Sequence, residues 1–122
     1  MNKNKRDFGK EIEQRAVNYL IEQKYTIITQ NYSSQYGEID IIAGKNDLLV
    51  VVEVKYREQT EFGEPEVSVN KSKQSKIIKT ALMYVKEHNI KNRSIRFDVI
   101  SVTPDKINHI ENAFISKTFY TY

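Results

Sequence analysis

The sequence predicts an α/β fold in the order α-β-β-β-α-β, a mixed sheet with helices packed against it. Three observations carry this. Apolar residues recur at helical spacing in two segments, 8–23 and 71–88. Runs rich in β-branched and aromatic residues lie between and after those segments. A helix between the third and fourth strands allows a right-handed crossover to a parallel neighbour.

The elements follow in order. Phe8, Ile12, Ala16, Tyr19 and Leu20 mark the first helix. "YTIITQNY" (25–32) reads as a strand. "EIDIIA" and "LLVVVEVKY" follow, joined by the turn-rich "GKND" of a hairpin. Residues 57–69 form a polar loop with Gly63 and Pro65. In the second helix Ile77, Ile78, Ala81, Leu82 and Val85 share a face. "IRFDVISV" (95–102) is a fourth strand and "INHIENAF" reads as a further extended segment. At 122 residues this is one domain, with a basic tail at 1–7 and a C-terminal tail at 115–122.

Composition sets the outer bounds. The chain is 39% hydrophobic and 29% charged, an ordinary globular balance. It has no cysteine, which excludes disulfides, thiol nucleophiles and cysteine-ligated metals. No apolar run reaches membrane-spanning length, and the basic start lacks the apolar stretch of a secretory signal, so the expected location is the cytoplasm. Net charge is only +3, but Lys71, Lys73, Lys76, Lys79 and Lys86 follow one another without an intervening acid. Such a face suits phosphate contact, and equally an ordinary solvated helix.

Two acids interrupt strand-like apolar runs: Asp40 within "IDIIA" and Glu53 within "LLVVVEV". A lone buried carboxylate is costly without a partner. If the hairpin turns on Asn46-Asp47, Lys45 pairs with Leu48 and Asp40 falls opposite Glu53, where side chains lie ~4.5–5.5 Å apart and like charges repel. A slip of one residue would separate them, and the apolar pattern does not fix the register, because both strands are apolar on both faces. Lys55 shares a face with Glu53. On a wheel of ~100° per residue, Glu13 falls in the stripe of Gly9, Ala16, Val17 and Leu20 that must face the sheet, whereas Glu11 points to solvent.

One acid beside one lysine makes a salt bridge. Three acids beside one lysine need more: a hard divalent cation with oxygen ligands, or carboxyls whose raised pKa values keep some of them neutral. Mg²⁺ held by one or two carboxylates plus substrate phosphate oxygens activates water and neutralises charge on a phosphodiester, and a nearby lysine stabilises the transition state.

Asp40 followed by Glu53-Val54-Lys55 resembles the PD-(D/E)XK nuclease signature. The blocks "EQRAVNYL", "QNY", "GEIDII", "VVVEVKYR", "FGEP", "KQSKI", "RFDVI" and "HIENAF" together resemble the YraN family of uncharacterised bacterial proteins, related to archaeal Holliday junction resolvases. The resemblance implies a restriction-endonuclease-like three-layer core and an Mg²⁺- or Mn²⁺-dependent nuclease acting on structured or branched DNA. It implies Glu13, Asp40, Glu53 and the Val54 carbonyl as metal ligands, with Lys55 as the catalytic lysine. Gln74 matches a polar position near the site, or is a helix-start amide satisfied by backbone. Glu38 supports the ligands from behind, or is an exposed strand end. Arg57 contacts phosphate or pairs with Glu58 or Glu61, and Lys71, Lys73 and Lys76 bind the nucleic-acid backbone. By analogy with resolvases the protein is a homodimer.

The chain departs from the pattern in two places. Ile39 stands where the signature's name has proline, and Ser33, Ser34 and Gln35 precede "GEID" where relatives carry basic residues. His88 and His109 are isolated and read as structural, since no zinc spacing exists. Tyr19 and Tyr84 read as core-edge aromatics; Tyr32, Tyr36 and Tyr56 flank the site. The rival reading is a nucleic-acid-binding module that keeps this fold without cutting.

Overall fold

In the computed structural model, which describes residues 4–58 and 69–115, two helices and five strands follow the order α-β-β-β-α-β-β. Helix α1 (Lys5–Glu22) starts earlier than its apolar periodicity suggests. The Asn4 side chain accepts the Asp7 N–H at 2.8 Å, which satisfies a free helix-start donor and adds a full turn ahead of Phe8. Of the expected basic tail, residues 5–7 are therefore helical, and residues 1–3 lie outside the described residues.

The strands are β1 (Thr26–Ser34), β2 (Gly37–Lys45), β3 (Leu48–Tyr56), β4 (Ser94–Val102) and β5 (Ile107–Phe114). Their order in the sheet is β1-β2-β3-β4-β5, with β3 central. Every neighbouring pair is antiparallel except β3 and β4, which run parallel and are joined through α2 (Lys71–Glu87). The segment 107–114 is thus a fifth strand. Asn46, at φ 55°, makes the left-handed corner of the two-residue β2–β3 turn. Residues 59–68 of the polar loop and the tail 116–122 lie outside the described residues.

Each face of the sheet carries one helix, giving three layers. On one face Ile12, Ala16, Val17 and Leu20 of α1 pack over Ile41, Ala43, Val50, Val52, Ile100 and Val102. On the other, Ile77, Ala81, Tyr84 and Val85 of α2 pack over Ile39, Ile42, Leu49, Val51, Phe97 and Val99. Burial on both faces explains why β2 and β3 read as near-continuous apolar runs. Among the described residues no helix is long and apolar enough to cross a membrane.

One irregularity positions everything that follows. Ile39 and Ile42, three residues apart, both lie in the α2-side core, while Ile41 and Ala43 lie in the α1-side core. The alternation of β2 therefore breaks at Asp40. The β2–β3 ladder, in register from Lys45↔Leu48, ends at Ile41↔Val52. The β1–β2 pairing passes from Gln30↔Ile41 to Tyr32↔Ile39, skipping Asn31 and Asp40, and Asn31 has a left-handed φ of 55°. β2 thus leaves β3 at this point, while β3 stays in register with β4 throughout.

Candidate metal and nucleic-acid site

The hairpin register puts Asp40 level with Glu53, as a turn on Asn46-Asp47 requires. Because the ladder has ended there, the Asp40 carboxylate fills the gap: its Oδ2 accepts the Val54 N–H at 2.8 Å. A side chain thus replaces a strand acceptor, which keeps a backbone donor satisfied at the fork. The same position sets Asp40 against Glu53, which is buried. Burial, then the neighbouring Glu53, pushes the Asp40 carboxyl up to about 7. Glu13 adds a smaller push from the α1 side.

Glu13 is held by the Asn31 side chain, which donates to its Oε1 at 3.0 Å. Partial burial nevertheless raises the Glu13 carboxyl, and Glu38 adds to this. Glu13, Glu38, Asp40, Val54, Gln30 and Asn31 line a groove of about 840 Å³. Arg6 and Lys10 of α1 line it as well, and Phe8 stands edge-on to Tyr56 at 4.8 Å between ring centres. An acidic floor with basic groups from α1 is a setting that accepts a phosphate and a cation together.

The acids come from different layers. Val52 and Val54 pack on the α1 side, so Glu53 and Lys55 face α2. Lys73, in the first turn of α2, reaches Glu53 Oε2 at 2.5 Å. The Glu53 hydrogen bond raises the Lys73 pKa, which keeps that cation charged. Asp40 is therefore the meeting point of Glu13 from one face and Glu53 from the other. Among the described residues no three His, Asp or Glu side chains are gathered closely enough to hold a metal ion by themselves. The set fits a hard cation only as a partial shell, two or three oxygens completed by water or phosphate, as Mg²⁺ prefers.

The remaining expected groups fall as follows. Lys55 and Arg57 are half-buried at the end of β3, and the Arg57 N–H donates to the Val102 carbonyl at 2.9 Å. Lys71, Lys73, Lys76 and Lys79 are exposed along α2. The Lys79 ammonium sits 5.5 Å from the centre of the Tyr36 ring. Gln74 donates its amide to the Val69 carbonyl at 2.6 Å, the helix-start alternative to a site role. Glu38 is exposed, with the Ser33 hydroxyl 3.5 Å away, yet it lines the groove.

Sequence reasoning missed three contributors here: Asn31, Arg6 and Lys10. Arg6 and Lys10 are four apart and share a helix face with Glu13, and starting the helix at Phe8 leaves Arg6 outside it. It also missed a second buried network. Arg96 donates two hydrogen bonds to Asp98, each 2.8 Å, and a third to the Tyr25 hydroxyl at 2.7 Å. His109 Nε2 lies 2.7 Å from Asp98, and its Nδ1 lies 3.0 Å from the Tyr19 hydroxyl. The Asn112 N–H also donates to Asp98, at a bulge between β4 and β5. Burial alone would raise the Asp98 carboxyl, but hydrogen bonds from His109, Arg96 and Asn112 hold it below its usual value. This network fastens β4 and β5 to α1. His109 is structural, and so is His88, whose ring stacks on Tyr84 with Nδ1 3.0 Å from the Tyr84 carbonyl.

The profile of the uncharacterised protein family UPF0102 matches residues 12–102, a span that includes every acid of the groove. A UPF0102 protein of Persephonella marina is 47% identical over 106 residues, covering 87% of this chain and 91% of that protein. One from Clostridioides difficile is 47% identical over 115 residues, covering 93% and 98%. A third, from Fusobacterium nucleatum, is 38% identical over 109 residues, covering 89% and 92%. With the profile match and these near full-length relatives in agreement, the chain belongs to UPF0102, the YraN family of uncharacterised proteins.

Proposed function

We propose that this protein is a metal-dependent nuclease that hydrolyses phosphodiester bonds, with structured or branched DNA as its substrate. The observation that carries the reading is Asp40, lodged where the strands part and pressed between Glu13 and Glu53. A fold has little reason to retain that repulsion unless the acids serve a cation. Glu13, Asp40, Glu53 and the Val54 carbonyl would hold Mg²⁺ or Mn²⁺. When bound, the cation supplies an activated water and neutralises charge on the phosphodiester.

The chain's own residues do the rest. Lys55, beside Glu53 on β3, orients the attacking water and offsets negative charge at the reacting phosphate. Arg57, Lys71, Lys73 and Lys76 hold the backbone, aided by the positive end of α2. Two such sites in a homodimer would cut both strands of a branched substrate. Sedimentation showing only monomers, with and without DNA, would count against that arrangement. The principal test is cleavage of branched, single-stranded and duplex DNA with Mn²⁺. Cleavage lost in Glu53→Ala supports the reading, and no cleavage of any substrate opposes it.

One observation favours a second reading, a nucleic-acid-binding module without catalysis. Lys73 already neutralises Glu53, so the acids do not strictly need a metal to coexist. Metal-independent DNA binding without cleavage would establish that alternative.

A further inference from the structure

Glu53 is capped by a cation that the chain itself supplies. The Lys73 ammonium lies 2.5 Å from Glu53 Oε2; the lysine side chain is 51% exposed and the glutamate only 7%. Two properties make this contact exchangeable. Lys73 is carried on a flexible four-carbon stem with much of its length in solvent, so its head can leave without unfolding α2. Its helix start, flanked by exposed Lys71 and Lys76, attracts phosphate and so offers the lysine another anion.

A divalent cation that takes Glu53 as a ligand must share that carboxylate with this ammonium. Both cannot occupy the same carboxylate oxygen, and at such separations like charges repel strongly in a half-buried site. We propose that Lys73 is an internal competitor for the metal: it caps Glu53 until a nucleic-acid phosphate draws it away, so that the metal site completes itself only on substrate. This inference rests on the metal-dependent reading above and assigns the regulation of that same site.

The test is Mn²⁺ binding to the intact, nucleic-acid-free chain, followed by the paramagnetic resonance signal of free Mn²⁺. Lys73→Met should bind Mn²⁺ at least about tenfold more tightly than wild type, the scale of one adjacent charge in a part-exposed site. Lys71→Met, which removes an equal charge from the same turn, should change affinity by less than about threefold because solvent and salt screen it. Lys73→Arg keeps the charge and grips the carboxylate in a fork, so it should weaken Mn²⁺ binding. That variant decides the matter if Lys73→Met does not fold. Measurable Mn²⁺ affinities that are equal in wild type and both Lys73 variants would overturn the competition alone. Absence of Mn²⁺ binding in every variant up to millimolar metal would overturn the competition and the metal-dependent reading together.

Discussion

The Asp40 carboxylate accepts the Val54 N–H at 2.8 Å, in a place where a strand would ordinarily present a backbone carbonyl. That single bond ties the metal-type acid to the end of the central strand. It also fixes how far β2 and β3 can separate, and so sets Asp40 against both Glu53 and Glu13.

The arrangement has a pH signature. The folded-state Asp40 carboxyl titrates near about 7, above its ordinary value of 3.8. Between those values the unfolded chain binds fewer protons than the folded one, so this group's contribution to stability falls as pH rises from about 4 to about 7. Asp40→Asn keeps an acceptor for Val54 and abolishes the titration. We expect it to recover up to about 4 kcal/mol above neutral pH and nothing at acid pH, a scale set by ~1.4 kcal/mol per pKa unit over the shift from 3.8 to about 7. Urea melts of both proteins across this range check it.

Lys55 has a different signature. Lys55→Met should lower cleavage roughly 10²–10³-fold, the usual cost of losing one stabilising group at a reacting centre. DNA binding without metal should hardly change. Single-turnover cleavage and binding by anisotropy, measured on the same substrate, separate the two effects.

The Asp98 network is a matter of stability. Asp98→Ala leaves Arg96 without its two-pronged acceptor and the Asn112 N–H without its partner. The expected loss is about 3 kcal/mol, the lower end for breaking a buried pair, because Arg96 keeps some solvent contact and Glu111 lies 3.6 Å away. Thermal unfolding gives the number.

Asn4→Ala tests where α1 begins. Loss of the cap should cost ~1 kcal/mol, and it should loosen Arg6 and Lys10 at the groove. If residues 1–7 were an unstructured tail, the substitution would leave the melting point unchanged.

Much of this was legible in the chain. The hairpin does turn on Asn46-Asp47, the condition on which the sequence places Asp40 level with Glu53. Glu13 stands out because it breaks an apolar stripe, and the segment after the third strand is long enough to cross to a parallel neighbour. The rest depends on contacts with no local trace. β2 is apolar on both faces, so no pattern marks the loss of alternation at Asp40. Lys73 meets Glu53 across a helix–sheet packing that nothing in the lysine run specifies. Asp98, Arg96 and His109 are spread over two strands, and Asn31 earns its place only through a left-handed backbone turn. The start of α1 leaves no trace for a simpler reason: its polar first-turn residues carry no apolar periodicity.

Melting temperature with and without Mn²⁺ tests most directly whether Asp40 and its neighbours form a cation site. We expect Mn²⁺ to raise the wild-type melting point, by the equivalent of ~2.7 kcal/mol at 100 times its dissociation constant. Asp40→Asn should lose that response while melting no lower than wild type in the absence of metal. If Mn²⁺ leaves both wild type and Lys73→Met unmoved and Asp40→Asn simply destabilises, Asp40 is a structural brace for Val54 and the cation site does not exist.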